Sequence, residues 1–174
     1  MKQIVLSVLM LVGITSYAQV ERDITELDET NSWLKAGLNV TAPAGVISNT
    51  HAAAVAIDVS GQFMRTNHFG FGVTTGYSQY IADNEDGGLS GFGLIPAAAM
   101  LRYYPYSTGF FAGIDAGYTF TTNTAIDGGL SIRPHVGYHN YDWNIFGFVN
   151  NVWSNNYSDI TSIGVGVTYN IRFK

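Results

Sequence analysis

The 174-residue sequence predicts an all-β fold, an eight-stranded antiparallel up-and-down transmembrane β-barrel, on three observations. From residue 33 onward apolar residues recur at every second position in eight segments, and a period of two puts one set of side chains on each face of a strand. The segments approach or meet the ~9–11 residues that a tilted strand needs to cross a bilayer, whereas strands of soluble sheets have about 5–6. The connections alternate between tight and long, as they do when turns lie on one side of a membrane and loops on the other.

The first residues suggest how such a chain reaches a membrane. Lys2 precedes the apolar run 4–14, and Ser16, Tyr17 and Ala18 follow, with small residues at both ends of a cleavage triplet. This pattern predicts a secretory signal peptide over 1–18 and a mature chain from Gln19. Its apolar run is shorter than the ~20 residues of a spanning helix, and no later stretch reaches that length. Loss of Lys2 takes the eight basic residues to seven against thirteen acidic ones, a formal charge of −6 with histidines neutral. Nucleic acid is therefore not an expected partner. Cysteine is absent, which excludes disulfides and thiolate metal ligands. Glu21, Asp23, Glu26, Asp28 and Glu29 crowd into 19–31, a polar acidic tail without sustained periodicity, and the barrel is expected over 32–174.

Each strand follows from its own alternation. The first sets Leu34, Ala36, Leu38, Val40 and Ala42 against Lys35, Gly37, Asn39 and Thr41. In the second, Ala53, Val55, Ile57, Val59 and Phe63 oppose Ala54, Asp58, Ser60 and Gln62, and in the third Phe69, Phe71, Val73 and Tyr77 oppose glycines, Thr74 and Ser78. The fourth opposes Ile95, Ala97, Ala99, Leu101 and Tyr103 to Ala98, Met100, Arg102 and Tyr104. The fifth opposes Phe110, Ala112, Ile114, Ala116, Tyr118 and Phe120 to Phe111, Gly113, Asp115, Gly117 and Thr119. The sixth opposes Leu130, Ile132, Val136 and Tyr138 to Ser131, Arg133, His135, Gly137 and His139. The seventh, 142–153, is irregular, and its facing is not fixed by periodicity; the eighth sets Ile163, Val165, Val167, Tyr169, Ile171 and Phe173 against Gly164, Gly166, Thr168, Asn170 and Arg172. Connections at 65–68, 105–109 and 139–141 are tight, and those at 43–50, 83–90, 121–129 and 154–160 are longer.

A soluble barrel has the same period but needs a charged, solvated outer face. The less apolar set here is mostly Gly, Ala, Ser and Thr with isolated charges, which suits the inside of a barrel narrow enough for side chains to fill. The large apolar set is then expected to meet lipid. Aromatic placement agrees, since barrels of this kind carry aromatic girdles at both interfaces. Phe63, Phe69, Tyr103, Phe110, Tyr138 and Phe173 have outward parity at the turn ends of their strands, and Tyr77, Tyr118 and Phe120 at the loop ends.

With the signal peptide, the eight alternating segments, the stretch LRYYPYSTGFFAGIDAGYTF and the ending Tyr169-x-Ile171-x-Phe173, the chain resembles the small bacterial outer-membrane β-barrel family, the OmpA/OmpX-like eight-stranded barrels. The resemblance covers 33–174 and implies an outer-membrane location in a Gram-negative-type envelope, lipid as a partner, and a monomer. It also implies that the assembly machinery reads the C-terminal strand, although Lys174 here follows the terminal aromatic Phe173. It says little about activity, because such barrels serve as adhesins, structural proteins, narrow pores and enzymes. A structural or surface-interaction role without catalysis is expected, with a narrow porin-like channel and a lipid-modifying enzyme as alternatives.

The inward charges are Lys35, Asp58, Arg102, Asp115, Arg133 and Arg172, with Asp142 as a further candidate. Unpaired charge inside a narrow barrel is costly, so a polar network of these residues and His135 is expected to fill the lumen. Antiparallel pairing brings Asp115 near Arg133 or His135, and Asp142 near Arg172. No metal or other cofactor is expected. Of the four histidines only His135 and His139 share a face of one strand, and four residues separate them by about 13 Å. Both have inward parity in the lower half, away from where a Ser/His pair acting on lipid would stand. The loop 83–88, DNEDGG, fails the EF-hand pattern, and GFGVTTG at 70–76 has neither the spacing nor the helix of a dinucleotide fingerprint.

Overall fold

The computed structural model describes residues 34–64, 68–83, 91–124, 126–154 and 159–171. The expected leader 1–18, the tail 19–31, Arg172 and Phe173 lie outside the described residues. Within them eight strands run in order: β1 (Leu34–Ala44), β2 (His51–Met64), β3 (Phe69–Ala82), β4 (Phe92–Tyr103), β5 (Gly109–Thr121), β6 (Gly129–His139), β7 (Trp143–Ser154) and β8 (Ile160–Ile171). Each pairs antiparallel with its neighbours, and β8 returns to β1 from Leu34↔Ile171 to Ala44↔Thr161, closing the barrel. Closure leaves no sheet edge, so backbone groups find partners within the wall, as a hydrocarbon environment demands. The strands are 11–14 residues long, enough to cross a bilayer and extend beyond it.

Local sequence shapes the departures from regularity. Gly45, at φ +68°, turns the chain out of β1 into a short 3₁₀ segment, Gly45–Asn49, because glycine enters the left-handed region without steric cost. The β2–β3 register shifts between His51 and Ala53, a bulge at the loop end. Pro96 and Pro134 have no N–H to give, and each coincides with a gap in one ladder: pairing lapses between Thr75↔Ala97 and Ser78↔Leu94, and between Ile132↔Asn151 and His135↔Phe148. At the first gap the Thr75 hydroxyl donates to the Pro96 carbonyl at 2.7 Å.

The two faces sort as alternation requires. Leu38, Val40, Val55, Ile57, Val73, Leu101, Leu130, Val136, Ile145, Ile163 and Val165 all point outward and are exposed, forming a charge-free apolar belt. Solvated surfaces do not carry so continuous a patch, whereas a membrane-spanning barrel requires one. Inside, small polar residues share the space with two apolar clusters, more apolar surface than the polar filling expected from the sequence. Ile47, Ala54, Tyr80, Phe92, Leu94, Ile126, Val152 and Ile160 pack at the loop end, and Tyr104, Phe111, Phe146 and Phe148 toward the turn end. Strand β7 supplies the reason: Asn144, Phe146, Phe148 and Val152 point inward, while Trp143, Ile145, Val149 and Trp153 point outward. Glycines opposite make room, since a Cβ on Gly164 would stand 2.5 Å from Phe148 Cζ and one on Gly166 2.8 Å from Phe146 Cζ.

Candidate functional site in the barrel lumen

The inward charges occupy two levels of the lumen. At mid-height Asp115 and Arg133 are direct cross-strand partners on β5 and β6, so their side chains leave the wall side by side. Arg133 Nε donates to Asp115 Oδ2 at 3.0 Å, and Nη2 approaches the same oxygen at 2.9 Å. Its Nη1 crosses the lumen to donate to both oxygens of Asp58 on β2, at 3.0 and 3.2 Å. Asn39 Nδ2 donates to Asp58 Oδ2 at 3.0 Å, and the Thr41 hydroxyl donates to Asn39 Oδ1 at 3.2 Å. The Arg133 guanidinium also lies 5.4 Å from the centre of the Phe148 ring. One cation thus holds two carboxylates, and the network ties β1, β2, β5, β6 and β7 together. Charge-assisted bonds of this kind are short and directional, which fixes rotamers in a space where any misplacement leaves charge unpaired.

Nearer the turns stand Lys35, Arg102, His135 and His139, all buried. Lys35 Nζ donates to Asn170 Oδ1 at 3.0 Å, and Asn144 Nδ2 donates to the same oxygen at 2.8 Å. His135 Nδ1 is 3.2 Å from the Arg133 carbonyl and 3.9 Å from Asp115, so its ring is tied to backbone more closely than to the carboxylate. Arg102 stacks its guanidinium 5.4 Å from the Phe111 ring centre, and the Tyr104 hydroxyl donates to Gln62 Oε1 at 2.6 Å. Asp142, a candidate inward charge, stands just before β7, where its carbonyl accepts the Asn170 N–H of β8 at 2.8 Å. Asn140 Oδ1 accepts the N–H groups of Asp142 and Trp143 at 2.9 and 2.8 Å, an Asx turn that places Asp142 between β6 and β7. Its expected neighbour Arg172 lies outside the described residues.

Above the mid-height network the lumen narrows under aromatic rings. Tyr80 and Phe92 stack at 4.8 Å, His51 meets Phe92 edge-on at 4.9 Å, and the Tyr80 hydroxyl hydrogen-bonds Ser162 at 3.0 Å. Between this layer and Arg133 lies a cavity of about 30 Å³ of mixed lining, with Asn39, Thr74, Ser78 and Asp115 beside Leu94 and Phe148. A water needs about 10–15 Å³ measured this way, so the space accommodates a couple of waters. Among the described residues, no group of three histidines, aspartates or glutamates is arranged to hold a metal ion.

On the outer wall Phe63, Phe69, Tyr77, Tyr103, Phe110, Tyr118 and Phe120 are exposed, and Tyr138 is half-buried. Several pair along the rims: Phe69 with Tyr103 at 5.0 Å on the turn side, Tyr118 with Phe120 at 5.0 Å on the loop side. Trp143 and Tyr169, which meet edge-on at 4.8 Å, extend the turn-side ring beyond the residues singled out in the sequence. Within the lumen, sequence reasoning did not pick out Asn144, Asn170, Tyr104 and Phe148. Parity alone places Asn170 and Tyr104 inside, but which polar atoms meet across the barrel depends on its closure and stagger.

No known family profile matches the sequence, and no curated protein is significantly similar to it. Similar solved structures include a chain from the de novo design of transmembrane β-barrels, 11% identical, covering 84% of this chain and 100% of its own length at a TM-score of 0.48. Another is the outer membrane protein OprG from Pseudomonas aeruginosa, 12% identical, covering 80% of this chain and 95% of its own at a TM-score of 0.47.

Proposed function

We propose that this chain is a sealed, non-catalytic barrel of the outer membrane of a Gram-negative-type cell, with a structural or surface-interaction role exercised through its longer loops. The observation that carries this reading is the filled lumen. Ions and solutes entering from the loop end meet the Tyr80–Phe92 layer, then the Arg133 network, then Tyr104, Phe111, Phe146 and Phe148. A cavity of about 30 Å³ between these layers is too small to serve as a conduit. The apolar belt with aromatic rims supports contact with lipid, and the signal-like sequence pattern over 1–18 supports export. The alternating strand β8, with an aromatic two residues past its described end, supports engagement of the assembly machinery. The continuous closure of the wall within one chain supports a monomer.

A catalytic reading finds little support in the geometry. Thr50 Oγ1 stands 2.8 Å from His51 Nδ1, a hydroxyl beside a base, but the ring is buried against Tyr80 and Phe92 and faces the lumen. A lipid-modifying site needs such a pair on the outer wall within reach of an acyl ester. Reconstitution in a planar bilayer tests the proposal: a silent membrane at all voltages is the expected result. Discrete single-channel steps would establish the narrow-channel reading instead. Recovery of the mature chain from the outer-membrane fraction, with gel mobility that shifts on boiling, is expected alongside.

A further inference from the structure

Of the described lumen residues, three are cations, Lys35, Arg102 and Arg133, and two are carboxylates, Asp58 and Asp115. Both carboxylates are committed to Arg133. Lys35 and Arg102, each 3% exposed, have no carboxylate within 4 Å among the described residues. Asp142 stands in the β6–β7 turn with interactions of its own. The two cations are within electrostatic reach of one another, and both are within reach of His139. Lys35 Nζ spends one of its three hydrogens on Asn170. Arg102 hydrogen-bonds the Tyr104 hydroxyl and stacks on Phe111, yet its Nε and Nη1 hydrogens meet no acceptor among the described residues. A cation–π contact engages the face of a guanidinium and leaves its in-plane donors open.

Guanidinium does not lose its proton in proteins, so neutralisation by deprotonation is closed to Arg102. Burying such a charge without a partner is strongly unfavourable, because its hydration is lost with nothing to replace it. Ordered water satisfies hydrogen bonds but leaves the charge in place. A single monovalent anion compensates the Arg102 guanidinium and supplies an acceptor to both of its open donors.

We propose that the turn-side lumen is an anion site, in which Arg102 Nε and Nη1 hold one small anion beside Tyr104, within electrostatic reach of Lys35. The near-complete burial of both cations selects a monatomic halide over an extended organic anion. The same chemistry has a second source in the sequence, a carboxylate of the acidic stretch 21–29, which precedes β1 in the chain, and Lys35 is the second residue of that strand.

The test is thermal unfolding of the full mature chain in detergent, read by heat-modifiable gel mobility at constant ionic strength, with chloride or bromide replaced stepwise by gluconate. Ligand that binds only the folded state raises its stability with the logarithm of concentration above Kd, so the midpoint is expected to climb with halide and not with gluconate. Arg102→Gln is expected to abolish the halide-dependent increment and Lys35→Met to weaken it, whatever they do to the midpoint itself. Should either variant fail to assemble, bromide line broadening in NMR of the unaltered protein, reversed by chloride, reads the same site. A second chain with Glu21, Asp23, Glu26, Asp28 and Glu29 changed to Gln or Asn separates the sources. A halide effect in both chains assigns the site to a free ion. A halide effect confined to the neutralised chain assigns it to a tail carboxylate. Equal midpoints in halide and gluconate for both chains, with no bromide broadening, overturn the proposal.

Discussion

Arg133 on β6 and Asp58 on β2 meet across the lumen at 3.0 Å, although 75 residues and three intervening strands separate them in the chain. This contact closes the barrel from within, as β1–β8 pairing closes it around the wall. Asp115, fixed beside Arg133 by register, completes an arrangement in which one guanidinium answers two carboxylates.

Removing one member therefore leaves charge uncompensated. Asp115→Ala is expected to destabilise the barrel by about 3–5 kcal/mol, the usual cost of breaking a buried pair by deleting one partner. The unfolding midpoint of the folded gel band should drop accordingly. An unchanged midpoint would show that the network contributes no net stability.

The lipid-facing assignment predicts a depth profile. Val165→Arg, on an exposed position midway along β8, should cost about 2–4 kcal/mol in bilayers, whereas Ile171→Arg near the turn rim should cost about 0–1. Urea titration of both variants in lipid vesicles measures the difference. Equal costs would argue that no hydrocarbon gradient acts on this face.

Close approach of backbone makes a third prediction. A Cβ on Gly137 would stand 2.2 Å from the Ile145 carbonyl and 2.7 Å from Phe146 Cβ, atoms that move only if β7 moves. Gly137→Ala should cost about 1–3 kcal/mol, the range for forcing atoms into a filled interior. The folding yield and the midpoint of the refolded band give the measure.

Phe148 supports Arg133 through its ring face and fills space beside Gly164. Phe148→Ala is expected to destabilise by about 3–5 kcal/mol, as for large-to-small changes at buried aromatics. Because the Tyr80–Phe92 layer remains, the variant is also expected to stay silent in a planar bilayer.

Strand number, order and facing are legible in the sequence wherever alternation is strict, because a side-chain period of two is a local property. The run from Ile163 to Ile171 specifies its own outer face, and the small inner set of β3 specifies a narrow interior. In β7 the pattern fails, since Phe146 and Phe148 are as apolar as the Ile145 and Val149 that flank them. Only the glycines of the adjoining strand, Gly164 and Gly166, decide which set turns inward. Asp115 and Arg133 meet through nearest-strand register, which the sequence anticipates. The Asp58 contact depends on barrel diameter and stagger, and Asp142 depends on an Asn140 side-chain turn that competes with the strand. The loop-end apolar cluster gathers Ile47 from a 3₁₀ segment and Ile126 from a long loop, where no periodicity operates.

The chain's lack of cysteine permits a direct test of its inverted polarity. Single cysteines placed in turn at Ser162, Ile163, Val165, Val167, Thr168 and Asn170 on β8, spin-labelled in lipid bilayers, report collision with oxygen, which concentrates in hydrocarbon, and with a water-soluble nickel chelate. Labels at 163, 165 and 167 should collide freely with oxygen and little with nickel, while those at 162, 168 and 170 should be immobilised and shielded from both. High nickel accessibility at 163, 165 and 167, or oxygen accessibility without a period of two, would contradict a lipid-facing wall around a packed lumen.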